Sequence, residues 1–244
     1  MEYKLLQVSR NHRTLYPGLI LLMLLFFMQP VTEAQNILTP GDVAKIKSVT
    51  GVEISPDGSH IAYTLSVPAD PFQSNAPATN QLHVLNTSAG VTTPYYTTGS
   101  VSSVSFRPEH NAVTFLAQRE GDKNRSIYEV PLNGGEAVKI FEYSRSILSY
   151  QWHPDGNHIV FTAFEEKETS ESKLPYSTVV FEENQPQRKA YITNLAMEGH
   201  EPHVLKVEGS VYNTAWSPDG EKIAVSAAPT PTVDDQFMAQ KVFV

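Results

Sequence analysis

Apolar and polar residues alternate with a period of two on both sides of a short turn motif that occurs four times. The turn reads Ser-Pro-Asp-Gly at Pro56 and Pro218, His-Pro-Asp-Gly at Pro154 and Arg-Pro-Glu-His at Pro108. Two residues before these prolines stand Ile54, Phe106, Trp152 and Trp216, and five residues after them stand Ile61, Val113, Ile159 and Ile223. Alternation on both sides of a tight turn predicts a β-hairpin.

The turn residues suit this prediction. Pro presets φ for the second position of a type I turn, Asp suits the next position, and Gly accepts the left-handed conformation that closes the hairpin. In the second copy Glu109 and His110 replace Asp and Gly, so Asn111 is the candidate for the left-handed residue. Six residues after each Pro stand Ala62, Thr114, Val160 and Ala224, which predicts that this strand is covered on both faces.

Two weaker strand patterns follow each of the first three hairpins, and "KVFV" at the end of the sequence resembles the third strand of a fourth unit. Successive turn prolines are 52, 46 and 64 residues apart. Four strands in each repeating unit are typical of β-propeller blades. We therefore predict an all-β fold, an incomplete β-propeller of three blades plus part of a fourth over residues 51–244, with blades starting near 51, 101, 147 and 211. The alternative is a β-sandwich in which the turns recur by coincidence.

The N-terminal region predicts export. Lys4, Arg10 and Arg13 precede ten unbroken apolar residues, 19–28, and Ala34 ends a stretch suited to cleavage. These features are typical of a signal peptide, which we place at residues 1–34, and ten apolar residues span only about half of a bilayer core. An uncleaved signal anchor is the alternative. Residues 35–50 are predicted to be a short helical segment, with its helix at 40–49 capped by Thr39.

Composition narrows the function classes. The chain of 244 residues has 18 basic and 26 acidic residues, a formal net charge of −8, and no Cys. Nucleic-acid binding needs a basic face, so this charge argues against a nucleic-acid partner, and we expect none. Without Cys the chain has no disulfide, thiolate metal site or Cys nucleophile. We expect no cofactor, and no stable membrane span once the leader is cleaved.

The residues from Leu38 onward, beginning "LTPGDVAKIKSVTGVEISPDGSHIAYTLSVP", resemble the start of exported peptidases of the prolyl oligopeptidase family, of the acylaminoacyl-peptidase and dipeptidyl-peptidase type. Tol-type periplasmic propellers share the Pro-Asp-Gly repeat. The resemblance implies a propeller that restricts entry of short peptides to an α/β-hydrolase domain with a Ser-Asp-His triad. That domain would carry a Gly-x-Ser-x-Gly elbow, and the nearest cluster, 99–103, departs from the pattern. No catalytic residue is therefore assigned, and this chain alone is expected to be inactive.

Few residues are candidates for ligand binding. Some members of the family hold the amino terminus of a substrate with paired Glu from the propeller, which makes Glu182 and Glu183 substrate-binding candidates; solvated loop charge is the alternative. Glu165 and Glu166 form a second acidic pair in the same long insertion, 165–187. His200 and His203 lack the helical spacing of a metal site, so no metal ligand is assigned.

Three hypotheses remain open. The first is the substrate-gating propeller of an exported serine peptidase that acts on short peptides, periplasmic or secreted, with peptides reaching a hydrolase domain that this chain lacks. The second is a Tol-like propeller that binds protein partners and has no enzymatic activity. The third is a truncated, inactive gene product. Continuation of the reading frame into a hydrolase domain would separate the first hypothesis from the second.

Overall fold

The computed structural model of the chain describes residues 38–166, 185–197 and 199–244. The strands below all belong to one compact unit, Gly41–Val244. Within the described residues, no helix is long and apolar enough to cross a membrane. The predicted signal peptide lies outside the described residues.

The strands form four antiparallel sheets, each built from consecutive strands. Blade 1 contains β1 (Ser48–Ile54), β2 (His60–Val67), β3 (Thr79–Asn86) and β4 (Val91–Tyr96). Blade 2 contains β5 (Ser102–Phe106), β6 (Ala112–Ala117), β7 (Ser126–Pro131) and β8 (Val138–Phe141). Blade 3 contains β9 (Ile147–Trp152), β10 (His158–Phe164), β11 (Arg188–Asn194) and β12 (His203–Val204). Blade 4 contains β13 (Ser210–Trp216), β14 (Ile223–Ala228) and β15 (Lys241–Phe243).

The predicted fold class is confirmed: three four-stranded blades are followed by three strands of a fourth. β15, within the "KVFV" segment, pairs with β14 as its third strand. Two short helices accompany the blades, α1 (Pro40–Val43) and α2 (Val233–Met238). The helix predicted over 40–49 is wrong beyond Val43, because Ser48 and Val49 pair with β2 instead. Strand pairing here prevails over the weak local preference for helix.

The three Pro-Asp-Gly turns form as predicted. In each, the Gly amide donates to the carbonyl of the residue before Pro, at 2.8, 3.0 and 2.9 Å, and the Gly has a φ of 69°, 67° and 76° at Gly58, Gly156 and Gly220. The fourth copy differs from the prediction for Asn111. The turn closes at the same position, with the His110 amide donating to the Arg107 carbonyl at 3.3 Å, but the positive φ, 57°, falls one residue earlier, on Glu109.

The core lies between consecutive blades, and the second strand of each blade supplies both of its sides. In blades 2 and 3 that strand is buried almost throughout, which confirms the prediction of an interior strand. Residues five, seven and nine after Pro face the preceding blade, and residues six and eight after Pro face the next one. The first set comprises Val113, Phe115 and Ala117 in blade 2, Ile159, Phe161 and Ala163 in blade 3, and Ile223, Val225 and Ala227 in blade 4.

Serine residues at one repeated position join neighbouring blades by hydrogen bonds. Ser stands eight residues before every turn Pro, at Ser48, Ser100, Ser146 and Ser210. The last three accept a backbone N–H from the start of the third strand of the preceding blade, at Asn80, Arg125 and Arg188, over 3.1, 3.2 and 3.0 Å. Each of these bonds gives a backbone amide at the start of a strand an acceptor from the next blade.

A second repeated contact, which we call the turn latch, joins the turns of successive blades. The residue before Pro donates from its side chain to the carbonyl of the Gly in the next turn: Arg107 Nε to Gly156 O at 2.8 Å, and His153 Nε2 to Gly220 O at 3.2 Å. Each latch side chain also packs on the Trp of that next turn. The Arg107 guanidinium lies 4.7 Å from the Trp152 ring centroid, and the His153 ring meets Trp216 edge-on at 4.7 Å.

A buried hydroxyl satisfies the polar atoms between blades 2 and 3. Thr114 Oγ1 accepts from the Tyr150 hydroxyl at 2.8 Å and from Trp152 Nε1 at 2.9 Å, and it donates to Ser105 O at 3.1 Å. Burial of the Tyr150 hydroxyl raises its pKa far above the usual value. In the next interface Val160 takes the place of Thr114, and Trp216 Nε1 is buried with no hydrogen-bond partner among the residues that the structure describes.

Blade 1 departs from the environment that its repeat position predicts. All of β1 is exposed, with Ile54 62% exposed where Trp152, at the equivalent position, is 8% exposed. Within the described residues blade 2 covers one face of blade 1, and its other face carries apolar side chains at Ile61, Tyr63 and Leu65.

Gly156 tests the contact between turns. A Cβ at Gly156 would lie 2.1 Å from the carbonyl oxygen of Pro108, and its φ is 67°. Gly156→Ala should therefore cost more than the roughly 1–2 kcal/mol that a left-handed Ala costs by itself. Gly58→Ala is the matched control, since its φ is 69° and no atom lies within 4 Å of the added Cβ. Urea unfolding should show the larger loss for Gly156→Ala; equal losses would contradict a close turn-to-turn contact.

Thr114 tests the buried hydroxyl. Thr114→Val keeps the shape but leaves the Tyr150 and Trp152 donors unpaired, so the free energy of unfolding should fall by about 2–4 kcal/mol. The reverse exchange in the next interface, Val160→Thr, supplies an acceptor for Trp216 Nε1 and should leave stability within about 1 kcal/mol of the parent chain. Chemical unfolding measures both. A loss in Val160→Thr as large as that in Thr114→Val would show that the introduced hydroxyl does not pair with Trp216 Nε1.

Candidate functional site

A cavity of about 430 Å³ lies where the first strands and turns of the blades converge. Three of its lining residues, Glu53, Ser105 and Gln151, occupy the same repeat position, three residues before the turn Pro. The turn prolines of blades 2, 3 and 4 and the side chains of Trp152 and Trp216 complete much of the wall: Pro108, Pro154 and Pro218. The repeat therefore builds the cavity, because equivalent residues of successive blades point toward one space.

The chemistry of this cavity suits binding better than hydrolysis. Among its lining residues Glu53 is the one carboxylate, and partial desolvation by the cavity wall raises the pKa of that carboxyl above its usual value, although the residue as a whole is exposed. Ser103, Ser105 and Ser217 contribute hydroxyls, but the lining contains no His or Lys that would act as a base toward them. A serine nucleophile needs an adjacent general base. The cavity offers a single carboxylate, hydroxyls, an amide and two indole rings to a guest.

The structure leaves the candidate substrate-binding pair untested, because Glu182 and Glu183 lie outside the described residues. The two carboxylates of the other acidic pair in the insertion make different contacts. Glu165 Oε1 accepts the backbone N–H of Gln187 at 3.0 Å, whereas Glu166 pairs with Arg145 at 3.2 Å on the surface. Glu165 and Glu166 therefore do not present two carboxylates to a common ligand.

His200 and His203 are not brought together as metal ligands in the described part of the chain. His200 Nδ1 lies 3.3 Å from the carbonyl of Asn194, and its ring packs edge-on against Phe141. His203 begins the exposed strand β12.

The third turn gathers a different set of ligand-type side chains: His153, Asp155 and His158, whose ligand atoms lie within 4.8 Å of one another. His153 Nδ1 is 3.0 Å from Asp155 Oδ1, and His158 Nδ1 is 2.6 Å from Asp155 Oδ2. Sequence reasoning missed this set because it examined the histidines singly. The signal was present: blade 3 has His both one residue before and four residues after the turn Pro.

Asp155 is held ionised by its surroundings. Partial burial opposes its ionisation, but hydrogen bonds from the amides of His158 and Asn157 and from the His158 ring outweigh that effect. They hold the pKa of the Asp155 carboxyl well below its usual value. The two amides donate to Oδ1 at 3.0 and 2.9 Å, so the carboxylate is fixed in orientation.

Comparison with known proteins places this fold among peptidase propellers and their relatives. No protein-family profile matches the sequence. The chain is 25% identical over 228 residues to the uncharacterized peptidase YuxL of Bacillus subtilis (strain 168). The aligned region covers 86% of this chain and 34% of that protein. The chain therefore spans about one third of the length of this relative.

Solved structures share the fold at low identity. Acylaminoacyl peptidase of Pyrococcus horikoshii superposes with a TM-score of 0.56 and 16% identity, over 77% of this chain and 29% of that one. The β-propeller domain of the Trilobed protease from Pyrococcus furiosus superposes with a TM-score of 0.50 and 16% identity, over 78% of this chain and 51% of that one. TolB from Acinetobacter baumannii superposes with a TM-score of 0.50 and 16% identity, over 75% of this chain and 38% of that one.

These comparisons confirm the resemblance predicted from the sequence. The chain is homologous to a peptidase, YuxL, over a region that is a β-propeller here, and it shares the fold of acylaminoacyl peptidase and TolB propellers. It is consistent with the propeller region of a prolyl oligopeptidase-family protein.

Proposed function

We propose that this chain is the substrate-gating propeller of an exported serine peptidase that acts on short peptides. The match to YuxL carries the proposal, since it spans 86% of this chain but 34% of that peptidase. The remaining part of such a protein would supply the nucleophile, base and acid that the cavity lining lacks. The predicted leader at residues 1–34 supports export.

The gating role rests on the cavity where the first strands and turns of the blades converge. Its wall is made from first-strand and turn residues, and Glu53 offers one carboxylate to which the ammonium group of a peptide amino terminus is complementary. A cavity of about 430 Å³ admits short extended segments and excludes folded chains. In this proposal Gln151, which is exposed on the cavity wall, sets the width available to a passing peptide.

A binding propeller without enzymatic activity is the second candidate. The likeness to TolB, with a TM-score of 0.50 over 75% of this chain, favours it on fold. In this candidate the cavity would hold a segment of a partner protein rather than a substrate.

Peptide-length selectivity in the protein encoded by the whole reading frame tests the gating proposal. Gln151→Trp should narrow the cavity, so kcat/KM should fall more for peptides of eight to ten residues than for dipeptide substrates. The ratio of the two kcat/KM values should change by at least about tenfold. Val138→Trp is the matched control, because Val138 is 61% exposed on the fourth strand of blade 2 and is not among the residues that line the cavity. It should leave the ratio unchanged.

Two outcomes would contradict the proposal in different ways. Equal losses for long and short peptides would exclude gating but retain the peptidase. Absence of peptide hydrolysis and of labelling by a serine-directed fluorophosphonate in the full-length protein would exclude the peptidase and favour the binding propeller.

A further inference from the structure

The turn of blade 3 differs from the other Pro-Asp-Gly turns in the side chains that surround its Asp. In blades 1 and 4 the residue before Pro is Ser, and its hydroxyl donates to the turn Asp, at 2.6 Å from Ser55 to Asp57. In blade 3 His153 takes the place of that Ser, and His158 follows on the other side of the carboxylate. One Asp is therefore flanked by two imidazole nitrogens.

The turn latch determines which nitrogen of His153 carries the proton. Its Nε2 contacts the carbonyl oxygen of Gly220 at 3.2 Å, and a carbonyl can only accept, so Nε2 is the N–H. In the uncharged ring Nδ1 then presents a lone pair. That lone pair accepts the Asp155 amide at 3.1 Å, a hydrogen bond that an ion bound at Nδ1 would replace, and Asp155 Oδ1 lies 3.0 Å from the same nitrogen. Metal-binding histidines are oriented in this way, with the second ring nitrogen donating to a carbonyl or carboxylate.

The opposite side of the carboxylate completes a set of ligands. His158 Nδ1 donates to Asp155 Oδ2 at 2.6 Å, and its ring centroid lies 5.7 Å from that of His153. Ligand atoms around a tetrahedral Zn²⁺ are about 3.3 Å apart, given metal–ligand bonds of about 2.0–2.1 Å. The two nitrogen–oxygen distances, 3.0 and 2.6 Å, are each shorter than this spacing by less than about 1 Å, so both would have to widen before an ion fits.

We propose that His153, Asp155 and His158 form a binding site for a divalent transition-metal ion, with Zn²⁺ as the reference ion. Two imidazoles and one carboxylate suit zinc, copper or nickel, whereas Ca²⁺ and Mg²⁺ prefer oxygen ligands throughout. The ion takes the place of the proton between His158 Nδ1 and Asp155 Oδ2, and the His158 ring then carries its proton on Nε2. All three side chains are partly exposed, at 22, 36 and 39%, so solvent water can fill the remaining coordination position.

Metal binding at this site would also act on the contact between blades 3 and 4. Coordination through His153 Nδ1 fixes the ring in the tautomer that donates to Gly220 O, and it fixes the ring against Trp216. The bound ion should therefore stabilise the folded chain, since a ligand that binds only the native state raises stability in proportion to its occupancy. The site is independent of the proposed peptidase role, because it needs no part of the hydrolase.

Titration of the purified chain with Zn²⁺ alone tests the proposal, by calorimetry and by the absorption spectrum of the Co²⁺-substituted protein. We expect one saturable site. Partners in the outer shell of a metal are worth 10- to 100-fold in affinity, so His153→Ser or His158→Gln, which remove a ligand, should each weaken binding by at least about tenfold. His153→Ser introduces the residue that blades 1 and 4 carry naturally, so the turn retains a donor to Asp155.

Controls come from the other histidines of the chain. His60→Gln changes the residue of blade 1 at the position equivalent to His158, and the double variant His200→Gln/His203→Gln removes the two histidines that lie three residues apart in the sequence. Both should keep the affinity and the rise of the unfolding midpoint with free Zn²⁺. Circular dichroism checks that each variant is folded. Absence of saturable binding, or an affinity unchanged in both His153→Ser and His158→Gln, would overturn the proposal.

Discussion

The packing of one blade against the next is the interaction on which the rest of this structure depends. The second strand of each blade presents bulky residues such as Phe115 and Phe161 to the blade before it and smaller ones such as Ala62 and Thr114 to the blade after it. An isolated four-stranded sheet would leave both faces exposed to water. Stacking removes apolar surface from water at each interface, and it also directs the first strands toward a common centre, where the cavity forms.

Polar contacts determine how closely neighbouring blades approach. The serine eight residues before Pro satisfies a strand-end amide of the preceding blade, and the turn latch satisfies a Gly carbonyl of the following one. These groups would be costly to bury without partners. The residue before Pro varies from Ser to Arg to His: Ser55 and Ser217 donate to the Asp of their own turn, whereas Arg107 and His153 contact the Gly carbonyl of the next turn.

The cavity and the third turn offer different chemistry at neighbouring places. The cavity wall includes Pro154, and the metal-ligand set begins at His153 and continues at Asp155. Peptide gating would use the shape of the cavity and the Glu53 carboxylate, whereas an ion at the third turn would use lone pairs that the latch orients. A bound ion would thus strengthen the blade contact beside the wall through which a substrate passes, although neither property requires the other.

The sequence by itself determined the fold class, the strand order within blades and the three Pro-Asp-Gly turns, because period-two alternation and turn chemistry are local properties. The Ser spacing and the two His of blade 3 are also visible in the sequence, but their contacts depend on residues of neighbouring blades. Only the tertiary structure decided that Val49 joins a strand, that Glu109 takes the positive φ, that Trp216 lacks the acceptor found by Trp152, and that His153 reaches Gly220. Each of these depends on atoms from another strand or blade, and a one-dimensional pattern carries no distances between them.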